Sequence, residues 1–136
     1  MTSQPPFPQT SFTPGLAPEI ERVFRPLCTP LDAPEAAGLQ AAIDEHLHAV
    51  RQARQRNEFL DLAAAEAIAA GLQVLLAAYP GCPPPQRALI VGAVRYFARS
   101  DDAEGDLISV LGFDDDKTVF NYVAGAVGRP ELKVTP

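Results

Sequence analysis

Apolar residues recur three and four positions apart through four long stretches of this chain, and no stretch alternates as a half-buried strand does. The first stretch begins at Pro34 and sets Leu39, Ala42, Ile43, Leu47 and Val50 on one stripe. Asp32 precedes it as an N-cap, and Glu35 completes a capping box. The second runs from about Glu58 to Tyr79, with Leu60, Ala64, Ala67, Ile68, Gly71, Leu72, Leu75 and Leu76 expected on its buried side. Small residues on that face would let another helix approach closely. Asn57 either breaks the first two helices or lies inside one continuous helix. Pro80-Gly-Cys-Pro-Pro-Pro85 ends the second stretch. A third helix is expected from roughly Pro85 to Arg99, presenting Leu89, Ile90, Ala93, Val94 and Phe97. The fourth, from about Asp115 to Val127, uses Val119, Phe120 and Val123 and stops at Gly128-Arg-Pro130. There is no internal repeat. The pattern predicts an all-α fold, a bundle of four to five helices with an acidic helix-loop-helix hairpin near the C-terminus.

Proline divides the chain into three regions: an N-terminal arm over 1–33, one helical domain over 34–130 and a tail over 131–136. Eight of the fourteen prolines fall in the first 34 residues, where they remove backbone donors and fix φ. Within the arm, Ala17 to Arg25 has room for two helical turns, with Pro18 at the first position and Ile20, Val23 and Phe24 on one side. Phe7, Phe12 and Leu16 are anchors for the rest, on the chain's own domain in the first reading and on a partner in the second.

Charge narrows the classes of function. A formal charge of −6 argues against a nucleic-acid surface, which needs clustered Lys and Arg, and Arg51, Arg54 and Arg56 form the only basic cluster. Cys28 and Cys82 match no C-x-x-C spacing, so neither zinc ligation nor a thioredoxin-like site is indicated. Two reduced thiols are expected, with a disulfide as the alternative. The first residues carry neither a basic n-region nor an apolar h-region and do not read as a signal peptide. The most apolar window, Leu62 to Tyr79, is interrupted by Glu66 and Gln73 and reads as a buried helix and not a transmembrane segment, so a cytoplasmic protein is expected.

The segment from Arg95 to Asp116 gathers seven carboxylates around a short apolar core. Tyr96 precedes Asp102-Ala-Glu-Gly-Asp106, followed by the apolar stretch Leu107 to Leu111, then Gly112, then the pair Asp115-Asp116. In this order the segment resembles the core motif of the YkvA-like family, small bacterial helical domains of unknown function. That motif has an aromatic, an Asp-apolar-apolar-Pro-Asp run, an apolar stretch, a Gly and a paired Asp. Gly105 stands where the family has Pro, Glu104 where it is apolar, and Ser100 where Pro is usual. The resemblance implies a helix-loop-helix and carries no activity or cofactor.

Two readings of the carboxylates stand side by side. In the first, Asp114, Asp115 and Asp116 cap the fourth helix, where orphan N–H groups and the positive dipole end favour an anion. In the second, Asp102, Asp106, Asp115 and Asp116 converge as oxygen ligands for a divalent cation such as Ca²⁺ or Mg²⁺. The segment is no EF-hand, because counting from Asp102 the sixth position is Leu107 and the twelfth is Phe113.

Other chemistry is sparse. Glu45 and His48 make one Glu-x-x-His, but a di-iron bundle needs a second, and His46 and His48 are the only histidines. Those two, two residues apart, point to different sides of a helix. Ser100, Ser109, Cys28 and Cys82 lie in no nucleophile elbow, and there is neither a Walker loop nor a G-x-G-x-x-G. Tyr96, Phe97, Phe113, Phe120 and Tyr122 are expected to form core. The leading expectation is a non-enzymatic interaction or adaptor module, homodimeric or with a protein partner, using the arm and an Ala-lined helix face; the alternative is a divalent-metal-binding protein, with a metal-dependent hydrolase as its enzymatic form, using the acidic loop.

Overall fold

The computed structural model of the chain describes residues 16–58, 60–98 and 114–134. It is an all-α bundle, and no strand occurs among the described residues. The helices are α1 (Pro18–Phe24), α2 (Ala33–Ala37), α3 (Leu39–Arg54), α4 (Leu62–Ala78), α5 (Pro84–Phe97) and α6 (Asp114–Ala126). Short 3₁₀ turns follow α1, α4 and α6 at Arg25–Leu27, Tyr79–Gly81 and Pro130–Leu132. The acidic hairpin over 99–113 lies outside the described residues.

Local chemistry accounts for most of the boundaries. Pro18 opens α1, where its missing N–H costs nothing. Asp32 and Glu35 form the expected capping box, Asp32 accepting from the Glu35 N–H at 3.0 Å. The stretch from Pro34 is not one helix: tight i−3 bonds from the Gly38 N–H to Glu35 O and from the Ala41 N–H to Gly38 O separate α2 from α3. α3 and α4 are also separate, and α4 starts later than Glu58, because Asp61 caps it by accepting from the Ala64 N–H at 3.0 Å. At the far end of α4, Arg87 reaches back to the last carbonyls, donating to Tyr79 O at 3.2 Å and Pro80 O at 2.7 Å. α6 closes in a Schellman motif, with Gly128 at φ 80°, its N–H on Gly125 O, and the Arg129 N–H on Ala124 O.

The core forms around α5, which packs against α1, α3, α4 and α6. Every residue from Ala88 to Val94 is buried, as are Tyr96 and Phe97. Two glycines allow the closest approaches. A Cβ on Gly71 would stand 2.2 Å from Phe120 Cζ, and one on Gly92 would stand 2.4 Å from Cys28 Sγ. Each site seats a large neighbour directly on helix backbone.

From residue 16 the arm belongs to this core. Leu16, Ile20 and Phe24 are buried, and the Phe24 ring meets Tyr96 and Tyr122 edge-on at 6.4 Å. Arg95 donates to Leu27 O at 3.3 Å, and the Tyr79 hydroxyl donates to Leu31 O and accepts from the Leu31 N–H. This is the local packing expected of the arm. Val23, expected beside Ile20 and Phe24, is instead exposed at 39%. Phe7 and Phe12 lie outside the described residues.

Candidate functional site

α4 is apolar except for Glu66 and Gln73, and its inner face is buried through Ala64, Ala65, Ile68, Ala69, Gly71, Leu72 and Leu75. By length and composition, Leu62–Gly81 is long and apolar enough to cross a membrane; 44% of it is buried inside the bundle. What remains outside is ordered: Ala63, Ala67, Ala70, Val74 and Ala77 are all exposed, and their spacing is four, three, four, three. Ala67, expected on the buried side, belongs to this outer stripe because a helix with alanine on every face gives periodicity nothing to discriminate. Val74, at 38%, is one of two large hydrophobic side chains exposed among the described residues. Glu66 and Gln73 flank the stripe on one side, and Glu66 is held by Arg51 at 3.2 Å.

The candidate metal ligands divide. Asp102 and Asp106 lie outside the described residues. Asp115 is exposed, whereas Asp116, next to it in the first turn of α6, is buried at 3%. Consecutive helical residues project about 100° apart, which separates these two environments. The positive end of α6 favours a carboxylate at both positions. Among the described residues no group of three or more His, Cys, Asp or Glu side chains is placed to hold a metal ion.

The histidines occupy opposite environments, as their spacing implies. Glu45 and His48 face solvent, while His46 is buried at 6% against Phe97, ring centroids 4.8 Å apart. Among the described residues its Nε2 has no hydrogen-bond partner, and burial pulls its pKa below the usual histidine value. The core spacing Ile43, His46, Val50, Ala53 carried this signal, since all four are buried and lie three or four apart.

Both thiols are free. Burial pushes Cys28 up to about 12 despite the nearby Arg25 and Arg95, so it is a protonated packing group at neutral pH. Burial, followed by the neighbouring Cys28 and Glu21, likewise raises the Tyr122 phenol to about 12.

No protein-family model matches the chain, and neither the curated proteins nor the solved structures contain a match. The class therefore rests on the fold, an all-α bundle, and on the unusual surface of α4.

Proposed function

We propose that this chain is a non-enzymatic interaction module that offers the outer face of α4 to a second α-helix, first of all to α4 of another copy. One observation carries the reading: the exposed apolar positions of α4 repeat with the 3.5-residue period that a facing helix requires. Small side chains at four of the five positions permit close backbone approach. The stripe is also self-complementary. With a two-fold axis at Ala70, antiparallel helices set Ala63 level with the partner's Ala77, and Ala67 and the partner's Val74 within about one residue of the same level. The same operation brings Glu66 beside the partner's Gln73, so polar flank meets polar flank.

A single helix face buries less than the roughly 800 Å² per partner of stable complexes, so a weak, concentration-dependent dimer is expected. Kinship with the YkvA-like domains is part of this proposal and brings no competing activity. Sedimentation equilibrium up to the order of 0.5 mM, where even weak complexes populate, tests it. The mass should rise above the 14.5 kDa protomer, and Ala70→Glu should abolish the rise while leaving the helical circular dichroism unchanged. A wild-type chain that stays monomeric throughout, or a variant that associates equally well, overturns the dimer.

A further inference from the structure

The exposed face of α4 has two unlike edges. Neighbouring residues of a helix project about 100° apart. Ala67 and Val74 therefore lie along one edge, while Glu66 and Gln73, one position before each, lie along the other, and all four are exposed. Glu66 is the only charged residue of α4.

The polar edge is half assembled within the protomer. Arg51 of α3 donates to Glu66 through Nε and Nη2, at 3.2 Å each, and both bonds end on Oε2. Among the described residues Glu66 Oε1 accepts no bond, and the Gln73 side chain makes none. Seven residues separate Glu66 from Gln73, beyond the three- and four-residue spacing at which side chains pair along a helix. Each thus presents unmatched chemistry to a neighbour: a carboxylate oxygen that needs a donor, and an amide that supplies one.

In the α4 dimer proposed above, on which this inference depends, the direction of the facing helix decides whether the two meet. Antiparallel helices carry their polar edges on the same side, so Glu66 of each copy lies beside the partner's Gln73. In a parallel pair the two-fold axis runs along the helices, and each polar edge falls on the apolar edge opposite. Glu66 then lies beside the partner's Ala67, and Gln73 beside the partner's Val74. There both polar groups lose water without gaining a hydrogen bond. We propose that Glu66 and Gln73 are the specificity-determining residues of the α4 surface. The Gln73 amide of one copy donates to Glu66 Oε1 of the other, twice per dimer, and this selects an antiparallel second copy over a parallel one or an unrelated apolar helix.

Exchanging the chemistry of the two positions tests this, by sedimentation equilibrium of the full chain at about 50 mM salt, where exposed charges are weakly screened. Gln73→Glu sets like charges together across the pair and should weaken the wild-type dimer by about threefold. Glu66→Lys removes the acceptor and should weaken it comparably. In the Glu66→Lys background, however, Gln73→Glu supplies a carboxylate to the partner's ammonium. There it should tighten the dimer by about tenfold, two solvated ion pairs contributing about threefold each, and about 1 M salt should remove most of the gain. Such a reversal of sign requires the two positions to meet across copies, because within one protomer they stay two turns apart. Helical circular dichroism and urea midpoints check that each variant folds, and Ala70→Glu controls for the pairing itself. If Ala70→Glu breaks a wild-type dimer while Gln73→Glu acts with the same sign in both backgrounds, the antiparallel selection is overturned and the pairing stands. A wild-type chain that stays monomeric overturns both.

Discussion

α5 and α4 are the two most heavily packed helices, and they reach that state by opposite routes. α5 carries Gln86, Arg87 and Arg95, yet from Ala88 to Val94 it has no exposed residue. α4 has one charged residue in seventeen, Glu66, yet leaves a full stripe of apolar side chains in contact with water. Burial thus follows position in the bundle more than apolar content: α5 has neighbours on every side, α4 only on one. Among the described residues the outer face of α4 stays exposed at Ala63, Ala67, Ala70, Val74 and Ala77, which is why it is the surface to test.

The largest effect should come from α5. Ile90→Ala empties a site with 0% exposure and should cost about 2–5 kcal/mol in urea unfolding, while Val74→Ala on α4 should stay within about 0.5 kcal/mol at monomeric concentrations. Equal costs would erase the contrast between the helices. Next comes the contact joining α4 to α6. Gly71→Ala drives a methyl into the Phe120 ring and should cost about 1–3 kcal/mol, partly recovered in a double mutant with Phe120→Leu.

A smaller, pH-dependent effect belongs to α3, where it meets α5. His46 has its pKa lowered by burial, so below the ordinary histidine value of about 6.5 the unfolded chain binds the extra proton. Stability is therefore complete above that pH and falls as the pH drops toward the depressed folded value, by up to about 1.4 kcal/mol per pH unit. Urea unfolding from pH 7 to 5.5 should show this slope in wild type and lose it in His46→Leu. The smallest effect is expected from metal. Moving from chelator to millimolar Ca²⁺ or Mg²⁺ should leave the melting temperature unchanged if Asp115 and Asp116 serve α6. A selective rise, of the kind produced by ~2.7 kcal/mol at a hundredfold excess over Kd, would reinstate Asp102, Asp106, Asp115 and Asp116 as ligands.

Where local chemistry sets structure, the sequence was readable. The capping box at Asp32, the proline stop after Tyr79 and the glycine stop at Gly128 all act within five residues, and each appears as expected. Legibility failed where one-dimensional periodicity lacks contrast. Alanine at positions 63, 64, 65, 67, 69 and 70 hides which face of α4 turns outward, and histidine at position 46 is overlooked when only apolar types are counted. Lys117 of α6 comes within 3.7 Å of Asp61 at the start of α4, a juxtaposition set by tertiary packing and carried by no local pattern. The candidate metal site was read from composition, and half of its residues lie outside the described part of the chain.

The Tyr79 hydroxyl engages both the N–H and the C=O of Leu31, residues 48 apart in sequence. Such a two-way clasp closes a long loop much as a covalent cross-link would, although reversibly and with no redox dependence. It ties the end of α4 to the segment that enters α2, so the two cannot separate one at a time. The Leu31 amide proton thereby becomes a single-site clock for that opening: its exchange with deuterium should keep the pace of the tyrosine's release, and Tyr79→Phe should set it running freely.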